Sequence, residues 1–308
     1  MENNKMTKVI VLLSTYNGEK YLKEQIDSLL RQEGVEVKII VRDDGSKDAT
    51  KRILDEYQSK DLIRWYTGDN LRPAKSFFNL MDNASVADYY ALCDQDDVWD
   101  KDKLAIAVKA LEGHSNIPAL YCGNTRLVDS NLNTLHVSNK WCTGKFAESL
   151  FHNPVTGCTC VFNKQLMSLY RHSAPGYVHM HDWWIYLLCT AFNGYIYFDM
   201  SPHISYRQHE NNVIGDHVST KELAESRWNV LIHPAEGTRY KQAKSLYDSY
   251  GHLMSASNLI LLKKLLESRK NVVKAFKFAF SKELANLAKF SSNKYVWKMR
   301  TLILLRRF

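Results

Sequence analysis

The feature that most restricts the fold of this chain is the alternation of short apolar runs and amphipathic segments in its first third. Residues 8–13 form a β-branched, almost wholly apolar run, which is typical of a strand buried on both faces of a parallel sheet. Apolar residues then recur at helical spacing between Tyr21 and Leu30, and Gly34 ends that helix. The alternation continues to a fourth strand at Tyr89–Cys93 and predicts a doubly wound, mostly parallel α/β sheet.

The same patterns predict the other elements. Strands are expected at 36–42, 62–66, 156–162, 195–198 and 203–207, with strands and turns in 119–137; helices are expected at 48–59, from Pro73, at 165–170, at 181–192 and from about residue 220 onward. Polar clusters at 14–18, 43–46 and 94–97 each follow a predicted strand directly. Ligands of such sheets bind beyond the carboxyl ends of the strands. The sequence therefore predicts a site at that edge.

The segment Asp94-Gln95-Asp96-Asp97 carries three carboxylates after the fourth strand. Carboxylates at positions i and i+2 can share a hard divalent cation, and Mg²⁺ or Mn²⁺ keeps coordination positions open for a diphosphate. The alternative is a solvated turn in which Asp97 or Asp100 caps the next helix. Because like charges repel, their clustering favours the metal site.

Two other acidic motifs have both a structural and a functional interpretation. Asp43-Asp44-Gly45-Ser46 either forms a turn, with Asp48 capping the next helix, or gives one carboxylate to the base or ribose of a nucleotide. His181-Asp182-Trp183-Trp184 either begins a capped helix with core tryptophans, or supplies Asp182 as a general base beside a tryptophan wall for a sugar. Each motif taken alone favours the structural interpretation.

A third polar run, Tyr206-Arg207-Gln208-His209-Glu210-Asn211-Asn212, follows a predicted strand. Arg207 and His209 are suited to holding a diphosphate, and His209 is suited to binding a metal ion. An exposed loop explains the same residues. The chain lacks Gly-x-Gly-x-x-Gly, a phosphate loop, Gly-x-Ser-x-Gly and His-Glu-x-x-His, which argues against dinucleotide oxidoreductases, common NTPases, lipase-type hydrolases and zinc proteases.

Charge is distributed unevenly along the chain. Residues 263–308 carry thirteen Lys and Arg against two Glu, a net of +11, whereas the first 262 residues carry 28 basic and 31 acidic residues, a net of −3. Such asymmetry points to an anionic partner, either nucleic acid or a membrane surface. Six cysteines without a Cys-x-x-Cys, a polar N-terminus and short apolar runs predict buried free thiols, no secretory signal and no transmembrane helix.

In their order along the chain, these motifs resemble those of family 2 inverting glycosyltransferases of the GT-A fold. The resemblance covers about residues 7–215 and rests on Ser14-Thr15-Tyr16-Asn17-Gly18, Tyr21-Leu22, Gln25-Ile26-x-Ser28-Leu29, Asp43-Asp44-Gly45-Ser46 and Asp94-Gln95-Asp96-Asp97-Val98-Trp99. The last of these, with His181-Asp182-Trp183-Trp184 and the run from Tyr206 to Gly215, resembles bacterial rhamnosyltransferases of cell-wall or capsular polysaccharide synthesis. The family often has Gly where this chain has Glu210.

The resemblance implies a role for each matching residue. It assigns nucleotide binding to Thr15, Tyr16, Asn17, Asp44 (with Asp43 as the second choice) and Asp94; metal binding to Asp94, Asp96 and His209; the catalytic base to Asp182; diphosphate and donor contacts to Arg207, Gln208 and Gly157; and acceptor contacts to His181, Trp183 and Trp184. The cofactor would be Mn²⁺ or Mg²⁺. A single displacement, in which Asp182 takes the proton of the acceptor hydroxyl, would invert the anomeric centre.

The expected organisation is a GT-A domain over 1–217 and a basic, mostly helical region over 218–308. The donor would be a nucleotide sugar, dTDP-L-rhamnose in the first place or a UDP-hexose, and the acceptor a glycan on a polyprenyl lipid. The basic region fits an anionic membrane surface, so a cytoplasmic protein peripheral to the inner face of the membrane is expected. A solvated appendage or a dimerisation surface is the alternative.

Two other classes of protein remain as alternatives. A sugar nucleotidyltransferase would usually have a Gly-rich, basic N-terminal loop, which residues 14–18 lack. A nucleic-acid-binding protein fits the basic C-terminal region, but the acidic clusters of the body would repel phosphate. We therefore expect no nucleic-acid partner.

Overall fold

A computed structural model describes residues 6–208, 237–287 and 293–308. The strands are β1 (Lys8–Thr15), β2 (Glu36–Asp43), β3 (Arg64–Thr67), β4 (Tyr89–Cys93), β5 (Val98–Trp99), β6 (Ala119–Gly123), β7 (Arg126–Val128), β8 (Thr134–Val137), β9 (Val161–Asn163), β10 (Tyr195–Asp199) and β11 (Ile204–Arg207). The helices are α1 (Leu22–Leu30), α2 (Thr50–Gln58), α3 (Arg72–Asn83), α4 (Lys103–Leu111), α5 (Phe146–Ser149), α6 (Lys164–His172), α7 (His181–Ala191), α8 (Thr238–Tyr250), α9 (Ala256–Ser268), α10 (Val272–Ala279), α11 (Lys282–Leu287) and α12 (Asn293–Leu304).

The main sheet has seven strands in the order β10-β6-β9-β4-β1-β2-β3. All its pairs are parallel except those of β9, which runs antiparallel to both β4 and β6. The mostly parallel sheet that the sequence predicts is therefore present, with one inserted antiparallel strand. The strand expected at 156–162 is wrong in its first half, since Gly157–Thr159 forms a 3₁₀ turn and β9 starts only at Val161.

The register of the central strands aligns their carboxyl ends. In β1, Leu13 pairs with Val41 of β2 and with Cys93 of β4, and Thr15 pairs with Asp43. The loops after β1, β2 and β4 consequently leave the sheet at one edge. These loops contain the three polar clusters that the sequence places after strands, so the fold brings them together.

Apolar side chains fill both faces of the sheet. In β1, Val9, Val11 and Leu13 belong to the cluster shared with α1 and α4, because alternate residues of a strand point to opposite faces. Ile10 and Leu12 belong to the other cluster, which also contains α3, α7 and the C-terminal helices. The C-terminal region thus shares a core with the sheet, and the boundary expected at residue 217 lies outside the described residues.

A second sheet, in the order β5-β11-β7-β8, packs beside the carboxyl edge of the first. It carries Arg207 at the end of β11, where Arg207 pairs with Val128. The six cysteines are free thiols, and all but Cys142 are buried. Among the described residues, no helix is both long enough and apolar enough to cross a membrane.

Candidate active site

The loop after β1 is fastened to the segment after β4 by Gln95. Its side-chain oxygen accepts hydrogen bonds from the Thr15 hydroxyl at 2.6 Å and from the Tyr16 backbone N–H at 2.8 Å, and its amide donates to the Tyr16 carbonyl at 3.2 Å. A Cβ at Gly18 would lie 2.5 Å from the Gln95 oxygen, so a larger residue here would displace the Gln95 side chain from this position. Sequence reasoning missed Gln95, since its partners lie about eighty residues away.

Asn17 fastens the same loop to the loop after β2. Its backbone N–H donates to the Ser46 hydroxyl at 2.9 Å, and its side-chain oxygen accepts the Lys47 N–H at 2.9 Å. Asn17 has a φ of +49°, a conformation that Asn tolerates better than most residues. Tyr16 is left exposed at the tip of the loop. Thr15, Tyr16 and Asn17 thus lie where the sequence expects them, at the carboxyl edge of the sheet.

Asp43 and Asp44 are buried and are bonded within the protein. Asp43 accepts the backbone N–H groups of Gly45 and Ser46 at 3.1 Å and the Thr67 hydroxyl at 2.8 Å. These contacts organise the loop after β2, as the structural interpretation of the motif expects.

The Asp44 carboxylate forms a buried ion pair with Arg42 and accepts the Leu71 N–H at 3.0 Å. Arg42 also donates to the Asp69 carbonyl at 2.9 Å and the Asn79 side chain at 3.2 Å. Sequence reasoning missed Arg42, which lies inside a strand. A nucleotide contact by Asp43 or Asp44 stays a prediction.

The segment after β4 groups three carboxylates within four residues. Asp94 and Asp96 are half-buried and Asp97 is buried. Burial and the charges of Asp96 and Asp182 raise the pKa of Asp94 to about 7. Burial and the charges of Asp96 and Asp94 also raise the pKa of Asp97, against the backbone N–H of Arg207, which donates to it at 3.1 Å. Asp182 is therefore close enough to act electrostatically on the residues after β4, which the sequence alone does not show.

Asp182 lies in the first turn of α7 and accepts the Trp183 backbone N–H at 2.6 Å. The 3₁₀ turn that starts at Gly157 approaches this helix closely: a Cβ at Gly157 would lie 2.9 Å from His181 Nε2 and 3.6 Å from the Asp182 Cβ. Gly157 is therefore beside Asp182, and its donor contact stays a prediction. The His181 ring stacks on Phe77 at 4.0 Å, and burial lowers the pKa of His181.

The residues expected to contact the acceptor are buried in this structure, so their acceptor role stays a prediction. Trp184 is wholly enclosed in the core, Trp183 is buried and donates its indole N–H to the Ser149 carbonyl at 2.6 Å, and His181 is also buried. All residues of α7 are buried, so the helix has no face open to a sugar. A cavity of about 320 Å³ lies nearby and is lined by Asn139, Lys140, Trp141, Glu148, His152, Asn153 and Pro154. Its Trp141 is exposed, and the Lys140 ammonium donates to the hydroxyl of Thr156, next to Gly157, at 3.0 Å.

The expected diphosphate contact of Arg207 stays a prediction, because the side chain is bonded within the protein in this structure. Its buried guanidinium donates to the Asp96 carbonyl at 2.9 Å and forms an ion pair with Glu24. Because its N–H groups face protein atoms under the segment after β4, Arg207 positions that segment rather than facing the cleft. Gln208 is half-buried, with its backbone N–H bonded to the Val128 carbonyl at 2.8 Å. His209 lies outside the described residues.

The donor set around Asp94 fits a hard divalent cation through its carboxylates. Asp94, Asp97 and Cys158 place one potential ligand atom each within 4.8 Å of one another. Burial raises the pKa of the Cys158 thiol, and hard cations prefer oxygen. Asp97 already accepts the Arg207 N–H. Asp94 therefore offers the most accessible oxygen of this group to a hard divalent cation. Asp96 is not part of the group, and its role as a metal ligand stays a prediction.

A buried lysine lies behind these carboxylates. The Lys103 ammonium lies 3.4 Å from the centre of the Trp99 indole ring, and burial lowers the pKa of Lys103 to about 8. No hydrogen-bond partner of this ammonium is found in the part of the chain that the structure describes. Lys103 is the first residue of α4, and this position does not indicate from the sequence that the side chain is buried.

A mostly parallel sheet with polar loops at the carboxyl ends of its strands defines the class of an α/β protein with a ligand site at that edge. Residues 10–173 match the family model "Glycosyl transferase family 2". The chain belongs to that family and is a glycosyltransferase.

The chain is similar to named relatives in sequence and in fold. It is 30% identical over 232 residues to the dTDP-rhamnosyl transferase RfbG of Shigella flexneri, covering 68% of this chain and 75% of that protein. TarS 1-349 of S. aureus has a TM-score of 0.58 at 16% identity, covering 97% of this chain and 80% of that one. The mannosyltransferase PcManGT of Pyrobaculum calidifontis has a TM-score of 0.52 at 16% identity, covering 98% and 86%. The expected GT-A fold is confirmed.

Proposed function

We propose that this glycosyltransferase moves L-rhamnose from dTDP-L-rhamnose to a glycan acceptor, with inversion at the anomeric carbon and with help from Mn²⁺ or Mg²⁺. The observation that carries the proposal is the contact of one short turn with both groups: Gly157 lies beside Asp182, and the adjacent Cys158 lies within 4.8 Å of Asp94. The turn therefore groups a general base with a cation site. The similarity to a dTDP-rhamnosyl transferase supports the donor. The neighbour in complex with GDP-Man and Mn2+ supports the cofactor.

In the proposed reaction, Asp182 accepts the proton of the acceptor hydroxyl as its oxygen attacks the anomeric carbon. The Trp183 N–H that bonds Asp182 keeps the carboxylate oriented. Asp94 and Asp96 would hold the cation, which when bound offsets the charge of the leaving diphosphate. Gln95 keeps the loop of Thr15 and Tyr16 in place against the nucleotide.

We place the acceptor at the cavity around Trp141. An exposed indole offers an apolar face to a sugar ring, and Lys140 and Asn139 offer hydrogen bonds beside it. The acceptor would be a glycan carried by a polyprenyl lipid at the cytoplasmic face of the membrane. A UDP-hexose is the second candidate for the donor. Family membership sets aside the nucleotidyltransferase and the nucleic-acid-binding protein.

The test is release of nucleoside diphosphate from a panel of donors. The full chain is incubated with dTDP-rhamnose, UDP-glucose, UDP-galactose or UDP-N-acetylglucosamine, each with Mn²⁺ or with EDTA. Release from dTDP-rhamnose alone, stopped by EDTA, is the expected result. Release from a UDP-sugar instead would replace the proposed donor, and release in EDTA would overturn the metal dependence. If no donor is hydrolysed and none binds in calorimetry, the proposed function fails.

Trp141→Ala tests the acceptor cavity separately. The expected result is a KM for the acceptor glycan that rises roughly tenfold, as for loss of one stacking contact, with unchanged hydrolysis of the donor. An unchanged acceptor KM would remove the acceptor from this cavity and leave the donor assignment intact. Proton NMR of the product, which reports the anomeric configuration, tests inversion.

A further inference from the structure

The C-terminal helices expose large apolar side chains that the core leaves uncovered. On α10, Val272, Val273 and Phe276 are 62%, 61% and 58% exposed, whereas Phe278 of the same helix is buried. A short helix that is buried on one side would ordinarily present polar residues to water on the other. Large apolar patches on a protein surface mark sites of interaction.

The exposed side chains form one continuous surface across α10 and α12. The rings of Phe276 and Phe280 lie 4.8 Å apart, centre to centre. The Arg300 guanidinium lies 5.2 Å from the Phe280 ring and 5.0 Å from the Trp297 ring. Phe280 and Trp297 are 44% and 55% exposed. Val272, Val273, Phe276, Phe280 and Trp297 are called the aromatic surface below.

Cations are interleaved with the aromatic surface. Lys270, Lys274, Lys277 and Lys282 are exposed on or beside α10, within a region whose net charge is +11. Aromatic side chains mixed with Lys and Arg are typical of elements that lie in a membrane interface: the rings enter the boundary of headgroups and acyl chains, and each basic residue gains from anionic lipid.

We propose that the aromatic surface docks this glycosyltransferase on an anionic lipid bilayer. The side chains of the surface enter the headgroup boundary while the flanking lysines contact anionic headgroups. The docking proposal extends the proposed function, because the bilayer would carry the lipid-linked acceptor. The purpose of docking therefore rests on the proposed function. Its physical basis is separate from that function, because it needs only the exposure and charge of the C-terminal helices.

Charge favours a bilayer over the other occupants of such a surface. A second copy of the chain would bring two basic regions of net +11 into contact, and like charges across an interface repel. The core of a protein–protein interface is depleted of lysine, whereas Lys274 and Lys277 lie among the apolar residues of α10. Nucleic acid would match the lysines but would leave Val272 and Val273 without a role.

The C-terminal helices are joined firmly to the helix that carries Asp182. The Asn258 side-chain amide of α9 donates to the Ala191 carbonyl at the end of α7 at 2.9 Å. The Tyr250 hydroxyl of α8 donates to the Ser173 carbonyl at 2.8 Å. Leu262 and Leu265 of α9 lie in the same apolar core as α7. Docking would therefore hold α7, which carries Asp182, in a fixed position relative to the lipid surface.

The test is flotation of the full chain with vesicles of phosphatidylcholine, alone or mixed with phosphatidylglycerol. We expect the wild type to float with the mixed vesicles, less so at high salt, and to stay in solution with phosphatidylcholine alone. Phe276→Ser with Trp297→Ser should lower binding roughly tenfold or more. Val86→Ser, which removes another exposed apolar side chain far from this surface in the sequence, is the matched control and should float as the wild type does.

Three results would overturn the proposal: a wild type that stays in solution with mixed vesicles, a double variant that floats equally well, or a wild type that binds DNA or RNA instead of vesicles. If, without vesicles, the double variant sediments with a lower mass than the wild type, the surface binds a second copy of the chain instead. Donor hydrolysis in the same samples separates the two proposals. Vesicle binding with neither hydrolysis nor calorimetric binding of any donor removes the proposed function alone. Hydrolysis without vesicle binding removes the docking alone.

Discussion

Two acidic loops at the same edge of the sheet hold their carboxylates in different environments. The loop after β2 buries Asp43 and Asp44, and each carboxylate has hydrogen bonds or an ion pair inside the protein. The segment after β4 groups Asp94, Asp96 and Asp97 near Asp182, and their mutual repulsion and burial raise the pKa of Asp94 and Asp97.

The comparison shows how to separate structural from functional acids. A bonded carboxylate stabilises the fold, whereas a crowded one costs stability and is kept for its chemistry. Substitutions in the two loops should therefore have opposite consequences: loss of stability after β2, and loss of activity with stability kept after β4.

The largest expected effect is that of Asp182→Asn. The amide oxygen can still accept the Trp183 N–H, so the helix start is preserved, but no carboxylate remains to take a proton. The rate of sugar transfer should fall roughly 10²- to 10⁴-fold, with a melting temperature close to that of the wild type. Product formation and thermal unfolding of one sample check both parts. A variant that transfers sugar at more than a tenth of the wild-type rate would remove Asp182 from the role of base.

Asp94→Asn should reduce transfer about a hundredfold and leave the melting temperature equal or higher, because it removes one of several like charges. Saturating Mn²⁺ should stabilise the wild type and raise its melting temperature. At a Mn²⁺ concentration of a hundred times the Kd, the free energy of unfolding should rise by roughly 2.7 kcal/mol. The variant should lose this response. If Mn²⁺ stabilises both proteins equally, Asp94 is not a ligand.

Asp43→Ala tests the bonded loop. It leaves the Gly45 and Ser46 N–H groups and the Thr67 hydroxyl without their acceptor, so the free energy of unfolding should fall by about 2 kcal/mol. Urea unfolding measures the change. Asp69→Asn, at an exposed position nearby, is the matched control and should change it little. A loss of activity without a loss of stability would contradict the structural role of Asp43.

Lys103→Met should have the smallest effect on the free energy of unfolding, and this effect should depend on pH. The pKa of Lys103 is lowered to about 8 from 10.5 by burial. Between these pH values the unfolded chain holds a proton that the folded protein has lost, so the wild type gains stability from Lys103 as pH rises through this window. The variant should be more stable by about 1 kcal/mol at pH 7, and the difference should shrink toward pH 10.5.

Urea unfolding at several pH values measures that difference. Lys101→Met removes an exposed lysine that pairs with Glu33, so it should change stability little at any pH. A difference for Lys103→Met that stays constant from pH 7 to 10.5 would show that the folded protein does not lower the pKa of this lysine.

Sequence patterns could predict the parts of the fold that depend on neighbours in the chain. Tyr89–Cys93 was predicted as a strand with the bounds that it has, because an apolar run meets an acidic cluster abruptly. The carboxyl-edge site followed from the positions of the three loops. The strand at 156–162 was half wrong, because Gly157–Thr159 has the same small and apolar residue types as a strand and its turn is set by contact with α7.

The sequence does not show that Trp183, Trp184 and Arg207 are buried, because their burial depends on contacts that are distant along the chain. All residues of α7 are buried, so its sequence has no polar face to show that Trp183 and Trp184 belong to the core. Arg207 is fixed by Glu24, 183 positions away, and Gln95 by Thr15. The sequence pattern of a charged or polar residue at the end of a strand is the same whether its side chain faces a ligand or a distant carbonyl group. The polar motifs after the strands therefore predicted where the candidate site lies. The orientation of its side chains could be seen only in the folded structure.

The antiparallel strand β9 also has a consequence for the order of folding. It fills the gap between β4 and β6, so these two strands have open edges until residue 163 is available. β4 ends about 70 residues earlier, which at 5–20 residues per second is roughly 4–14 s of synthesis. During that interval the half-built sheet of a nascent chain exposes unpaired backbone groups, and we expect it to depend on chaperones at this stage.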